Sequence, residues 1–99
     1  MTNAVRAIVQ VAMLEEAQPF LDRAVTVSDE EIVAGVRMYS VDFEDFRITL
    51  AVSGIGLVNA AQAATTLLAA HPHGVPLFSA GTAGGVAAHA VVGDVIVGT

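Results

Sequence analysis

Glu15 and Glu16 are the residues whose type and position come closest to catalytic chemistry. They follow the first apolar run, residues 5–13, where a predicted strand passes into a predicted helix. Ligands of open α/β sheets bind at the carboxyl ends of strands, where a carboxylate can accept a proton from a bound water. Carboxylates in a first helical turn also stabilise the helix dipole by about 0.3–1 kcal/mol. The pair therefore has a catalytic and a structural interpretation.

Two glycine-containing segments can bring backbone close to another group. Gly54, Ile55 and Gly56 lie between a predicted strand and a predicted helix, as in a dinucleotide-binding motif. Asn59 replaces the third glycine, and no acidic residue follows about 20 positions later. We therefore expect these glycines only to turn the chain sharply into the helix. The second segment, residues 78–87, contains three glycines and predicts a close approach of backbone to another group.

The remaining polar residues are expected to have structural roles and no catalytic or metal-binding role. His71 and His73 lack a third ligand or a carboxylate nearby in the sequence, so we expect a solvent-exposed helix end and no metal site. His89 has no predicted role. Asp94 is the only charged residue after Arg47, and we expect it to accept hydrogen bonds from nearby backbone.

Composition limits the class of protein. The 99 residues are enough for one domain or part of one; 55% are apolar, and the net charge is −6. The basic residues are four arginines, all in the first half, so nucleic acid is not an expected partner. The absence of cysteine excludes disulfide and thiol chemistry, and no export signal precedes the first strand. We expect a cytoplasmic location.

The uncharged segment over residues 50–70 has the length of a membrane span. It contains serine, glycine, asparagine, glutamine and threonine, so we expect a buried helix flanked by buried strands and no contact with a membrane. Strands covered on both faces are continuously apolar, as these are.

The hydrophobic pattern predicts an α/β fold in which helices flank a three-layer mixed sheet. A helix that contains Pro19 must begin near Glu15 or Glu16, so that the proline falls in or just after its first turn. A final strand without a covering element would leave an apolar edge open, so we expect the natural chain to continue beyond Thr99. The predicted elements are a strand at 5–13, a helix at 14–24, an exposed turn at 29–31, an antiparallel hairpin of 36–43 and 46–52, a helix at 57–70, and strands at 75–80 and 93–98.

Four motifs together resemble a known family. They are AMLEE at 12–16, SGIGLVNA at 53–60, AGTAGG at 80–85 and VGDVIV at 92–97. In this order and spacing they resemble the N-terminal part of the nucleoside phosphorylase superfamily, and within it the methylthioadenosine/S-adenosylhomocysteine nucleosidases. The resemblance covers residues 1–99 as part of a single truncated domain. It implies a nucleoside phosphorylase-like fold and a homodimer.

The resemblance also implies cofactor-free hydrolysis of the N-glycosidic bond of an adenine nucleoside. Glu16 matches the family glutamate that deprotonates the attacking water. The matches to substrate-binding positions are Met13 and Ile55 at the ribose and alkylthio end, and Thr82, Ala83 and Gly84 around the sugar and base. Water is favoured over phosphate as the nucleophile, because no arginine follows Arg47.

The resemblance leaves other functions open. The purine-protonating aspartate, the ribose-binding Met-Glu segment and the adenine-stacking aromatics belong to the later half of the family's chain, so residues 1–99 alone are expected to be inactive. The alternatives are a catalytically inactive nucleoside-binding or assembly module, a hydrolase of a related nucleoside such as futalosine, and a purely structural α/β fragment.

Overall fold

The computed structural model describes residues 4–71 and 74–98. These residues form one mixed sheet with the strand order β2-β4-β5-β1-β6, and β3 pairs with β4 beside that path. The elements in chain order are β1 (Val5–Val11), α1 (Leu14–Asp22), β2 (Thr26–Val27), β3 (Glu31–Val33), β4 (Val36–Asp42), β5 (Arg47–Val52), α2 (Leu57–Ala70) and β6 (Leu77–Ser79).

The directions of the strands create the edge that matters for function. β1 runs parallel to both β5 and β6, while β4 runs antiparallel to β5 and confirms the predicted hairpin. The ends of β1, β5 and β6 therefore lie side by side. We call this side of the sheet the carboxyl edge.

The helices cover both faces of the sheet, because the side chains of β1 alternate between them. Val9 and Val11 pack with Ala17 of α1, whereas Ile8 packs with Leu67 of α2. Burial of a side chain such as Ile8 or Leu67 stabilises the fold by about 1.5–3 kcal/mol. This arrangement confirms the predicted three-layer α/β fold.

α1 begins earlier than its proline predicts. It starts at Leu14, so Pro19 lies in its second turn. The start is set by Glu16, whose side chain accepts a hydrogen bond from the Met13 N–H and so satisfies one of the free donors at the helix start. α1 ends at Asp22, before the predicted end at residue 24.

The prediction of an exposed turn over residues 29–31 is wrong at its last residue. Glu31 begins β3, which pairs with β4 through Glu31 opposite Met38 and Val33 opposite Val36. Ala34 and Gly35 connect the two strands with φ of 51° and 80°. Positive φ at both positions is typical of a two-residue hairpin turn, and that turn sets the pairing of Glu31.

The predicted strand over residues 93–98 is also wrong. These residues are irregular, and Val95, Ile96 and Val97 are 79–87% exposed. A strand requires a neighbour for its backbone hydrogen bonds, and in the described part of the chain no strand pairs with this segment. Asp94 does accept a hydrogen bond from the Val91 N–H at 3.0 Å, as predicted.

The C-terminus of α2 is attached to the sheet through His71. The ring Nδ1 of His71 donates to the Leu67 carbonyl at 2.9 Å, because a carbonyl oxygen can only accept, and Nε2 lies 3.2 Å from Thr49 Oγ1. His71 is therefore partly buried, and the predicted exposed helix end is wrong for this residue. His73 lies outside the described residues. Neither described helix is long and apolar enough to cross a bilayer.

Candidate functional site

The Glu16 carboxylate joins α1 to the glycine-rich turn after β6. Its Oε1 accepts hydrogen bonds from the backbone N–H groups of Ala12 and Met13, each at 3.1 Å. Its Oε2 accepts one from the Thr82 N–H, also at 3.1 Å. An ionised carboxylate offers about four lone-pair positions, so Oε2 retains one position with which to accept a further hydrogen bond.

Gly81 is the point at which backbone approaches this carboxylate most closely. A Cβ atom added at Gly81 would lie 2.9 Å from Glu16 Oε2, closer than real Cβ contacts allow. At Gly84 such an atom would meet nothing within 4 Å. The predicted close approach in this turn is therefore confirmed at Gly81, and the group approached is the protein's own glutamate.

The turn between β5 and α2 forms another wall of the same region. Gly54 and Gly56 have φ of 89° and 102°, a left-handed conformation that favours glycine. The Gly54 N–H donates to the Ala12 carbonyl at 3.0 Å, which ties this turn to the end of β1. Asn59 Nδ2 donates to the Ile55 carbonyl at 2.8 Å. As predicted, the glycines turn a strand sharply into a helix.

These segments line an open cavity of about 370 Å³, which we call the carboxyl-edge cavity. Backbone-rich walls, one carboxylate and the start of a helix surround it. Its lining residues are Gln10, Val11, Ala12, Glu16, Ser53, Gly54, Gly56, Leu57, Ala60, Ser79, Ala80, Gly81 and Thr82. The volume lies within the range usual for small-molecule sites.

Gln10 is a buried polar lining residue that was not among the predicted site residues. It lies on β1 with only 6% of its surface exposed, and its Nε2 donates to the Ala60 carbonyl at 3.0 Å. The signal available in the sequence was a single polar amide within the apolar run over residues 5–13. Buried polar side chains require a partner, so such a residue deserves consideration as a site residue.

The structure brings some of the expected site residues together and leaves others beside the cavity. Glu16 and Thr82 both line it and are hydrogen-bonded to each other. The other four are exposed and lie within two residues of a lining residue along the chain, and Ile55 is 70% exposed. These four are Met13, Ile55, Ala83 and Gly84.

A smaller cavity of about 190 Å³ lies at the opposite end of β1 and β5. Two of its lining side chains already have strong protein partners: Arg47 binds Asp42 through two hydrogen bonds, and Tyr39 donates to Glu30. The bond to Glu30, together with burial, raises the pKa of Tyr39, and the bonds from Arg47 hold the pKa of Asp42 below its ordinary value. Because these groups satisfy one another, we place the functional site at the carboxyl edge.

No metal site is formed by the part of the chain that the structure describes, since no three histidine or carboxylate side chains there are grouped to hold an ion. The carboxyl-edge cavity instead offers backbone amides, the Gln10 amide and one carboxylate. Such a set suits a polar organic ligand that exchanges hydrogen bonds with the walls.

Known proteins are similar to this chain in sequence and in fold. The 5'-methylthioadenosine/S-adenosylhomocysteine nucleosidase of Listeria monocytogenes serovar 1/2a is 33% identical over 87 residues, covering 88% of this chain and 37% of that protein. The S-adenosylhomocysteine nucleosidase of Streptococcus pyogenes, solved with 5-methylthiotubericidin, is 28% identical with a TM-score of 0.75, covering 92% of this chain and 38% of that one. The corresponding nucleosidase of Colwellia psychrerythraea 34H, solved with adenine, is 25% identical with a TM-score of 0.79, covering 95% and 38%.

The chain thus spans less than two fifths of each of these proteins. The likeness to the solved structures confirms the nucleoside phosphorylase-like architecture of the described elements. Residues 6–99 also match the family model described as the phosphorylase superfamily. This match covers nearly the whole chain, and the chain therefore belongs to the phosphorylase superfamily.

Proposed function

We propose that the natural protein containing these residues is a nucleosidase. It hydrolyses the N-glycosidic bond of adenine nucleosides of the methylthioadenosine and S-adenosylhomocysteine type, and Glu16 is its general base. The observation that carries this proposal is the position of the Glu16 carboxylate, which lines a carboxyl-edge cavity of a size that suits a small molecule. The names of the relatives from Listeria and Streptococcus support the substrate class.

The proposed reaction uses the free position on Glu16 Oε2. A water molecule donates a hydrogen bond to Oε2 and attacks the anomeric carbon as the bond to adenine breaks, through a transition state of oxocarbenium character. The water proton passes to Glu16, the new C–O bond forms, and the bonding pair leaves with the purine. Two N–H donors on Oε1 and one on Oε2 keep the carboxylate in place during this step.

The remaining expected residues would hold the substrate around this carboxylate. We place Met13 and Ile55 at the ribose and alkylthio end, and Thr82, Ala83 and Gly84 against the sugar and base. Met13 and Ile55 are each exposed, so apolar surface is available to an alkylthio group. Ligand contact there would remove that surface from water.

The test is adenine release from methylthioadenosine by the full natural chain. We expect Glu16→Gln to lower kcat by about 10²–10⁴-fold, because the water loses its base. Glu15→Gln is the matched control, since it makes the same change one residue earlier in the same first turn of α1.

Three outcomes would contradict parts of the proposal. Equal loss in both variants would make Glu16 only a helix-stabilising residue. Nucleoside binding without turnover in the wild type would favour an inactive binding module. Faster hydrolysis of futalosine than of methylthioadenosine would favour the related hydrolase.

We also propose that the protein is a homodimer, as the family resemblance implies. Leu57 and Val58 at the start of α2 are 89% and 81% exposed, and Leu68 further along the helix is 47% exposed. Apolar surface of this kind is typical of an interaction site. Sedimentation equilibrium of the full natural chain tests this, and a monomer at all concentrations would contradict it.

A further inference from the structure

Gln10 offers the carboxyl-edge cavity a hydrogen-bond acceptor. Side chains of β1 alternate between the two faces of the sheet, and Gln10 lies on the face covered by α2. It is 6% exposed, and it lines the cavity together with Glu16 and Ala60. The hydrogen-bond partners of a polar side chain this deeply buried hold its amide group in one orientation.

The hydrogen bond to α2 defines which way the amide faces. Gln10 Nε2 lies 3.0 Å from the Ala60 carbonyl oxygen. A carbonyl only accepts hydrogen bonds, so the nitrogen must face Ala60 and Oε1 must face away from it.

Gln10 Oε1 has no protein donor within residues 4–71 and 74–98. No side-chain oxygen or nitrogen of those residues is both sealed from solvent and without a partner. Oε1 therefore reaches accessible space, and the carboxyl-edge cavity is the space that Gln10 lines. A nearly buried acceptor of this kind favours a ligand that carries a donor, because an unpaired acceptor is costly once the ligand displaces water.

We propose that Gln10 is a specificity-determining residue whose Oε1 accepts a hydrogen bond from a ribose hydroxyl of the substrate. This inference rests on the proposed nucleosidase function. The partner of Gln10, Ala60, lies in the first turn of α2, directly after the turn in which we place Ile55 at the ribose end. Glu16 lines the same cavity, and in the proposed reaction its Oε2 takes the proton of the water that attacks the anomeric carbon. The sugar lies between these two groups, and its hydroxyls are its hydrogen-bond donors.

The test compares substrates that differ by one hydroxyl. The full natural chain and its Gln10→Met variant are assayed with methylthioadenosine and with its 2'-deoxy and 3'-deoxy analogues. Methionine has a similar length but neither donates nor accepts as an amide does. We expect the preference of the wild type for methylthioadenosine over one of the two analogues, measured as kcat/KM, to fall by about three- to tenfold in the variant.

The ratio of kcat/KM for methylthioadenosine to kcat/KM for each deoxy analogue separates ligand recognition from a structural role of Gln10. Loss of the bond to Ala60 shifts α2 and lowers kcat/KM for all three substrates by the same factor, which leaves the ratio unchanged. Gln62→Met is the matched control, because Gln62 is exposed on α2 and also donates to a backbone carbonyl, that of Ala34. We expect that variant to keep the wild-type ratio.

An unchanged ratio in a folded Gln10→Met variant would overturn the inference. A variant that loses only kcat, and keeps the wild-type preference for methylthioadenosine over the deoxy analogues, would also overturn it. If that variant does not fold, the side-chain carbonyl carbon of Gln10 is followed by NMR in Glu16→Gln protein. It should shift with methylthioadenosine and not with one of the deoxy analogues, and equal shifts with all three ligands would overturn the inference. A wild type that hydrolyses no nucleoside refutes the proposed function itself.

Discussion

Glu16 and Thr82 are 66 positions apart in the sequence, and a hydrogen bond joins them in the structure. The family resemblance placed both in one substrate site, but the residues themselves predicted no direct contact between the carboxylate at the helix start and the glycine-containing turn. The structure makes them one feature, because Gly81 lies against Glu16 Oε2. The lack of a side chain at Gly81 is thus what permits the contact.

Gly81→Ala should weaken this contact. The added Cβ would lie 2.9 Å from Oε2, so the carboxylate end must shift, and a shift strains the bond that Oε2 accepts from Thr82. We expect the free energy of unfolding to fall by about 0.5–1.5 kcal/mol, the net contribution of a typical hydrogen bond, because the bond from Thr82 is exposed to solvent. Urea unfolding of the full natural chain measures it.

Gly84→Ala is the control for that measurement. An added Cβ there meets nothing within 4 Å, and alanine reduces the entropy of the unfolded chain. We expect no loss of stability, or a gain of up to about 1 kcal/mol. Equal destabilisation by both variants would show that the turn disfavours any side chain and that Glu16 is not the reason.

At the scale of elements, the hairpin of β4 and β5 was the most predictable part of the fold. Two β-rich runs flank Glu44 and Asp45, and antiparallel pairing through such a turn needs only local information. β3 was missed because its pairing depends on positive φ at Ala34. Alanine rarely adopts that conformation, so the sequence carried no signal for the turn.

The ion pair next to the turn of this hairpin should make the stability of the protein depend on pH. Arg47 donates to both carboxylate oxygens of Asp42, at 2.7 and 2.8 Å, and these bonds lower the pKa of Asp42 from its ordinary 3.8. A lowered pKa in the folded state adds stability above the unfolded pKa, and this is lost as the pH falls through the folded value. Asp42→Asn should therefore destabilise the protein at neutral pH and make little difference well below pH 3.8.

Denaturant unfolding of wild type and variant, from neutral to acidic pH, tests this dependence. Asp45→Asn, in the turn of the same hairpin, is the control and should differ little from wild type at any pH. The difference for Asp42→Asn should also shrink at high salt, since both partners are partly exposed. A difference for Asp42→Asn that persists unchanged in acid would refute the ion pair as its cause.

At the scale of the whole molecule, the apolar segment over residues 91–97 is the least enclosed. Its valines and isoleucine are 67–106% exposed. The sequence predicted a strand there from composition, yet strand formation is a property of two neighbouring segments. The chain also spans only 37% of its relative from Listeria.

Residues 1–99 produced as a separate polypeptide should release no adenine from methylthioadenosine above background. The described lining of the cavity contains Glu16 as its only carboxylate and no second acid for the purine. Protonation of a leaving group typically contributes about 10²–10⁴-fold. Adenine release at an ordinary enzymatic rate, abolished by Glu16→Gln, would contradict this expectation.

The sequence by itself determined the features that depend on neighbouring residues. These are the two helices, the central hairpin, the sharp turn at Gly54 and Gly56, and the motifs that place the chain in its superfamily. Tertiary structure decided the features that depend on distant partners. It set Gly81 against Glu16, turned the Gln10 amide toward Ala60, and left residues 93–98 without a strand to pair with. Periodicity and turn preferences act over a few residues, whereas a hydrogen bond or a strand pair exists only where the fold brings both partners together.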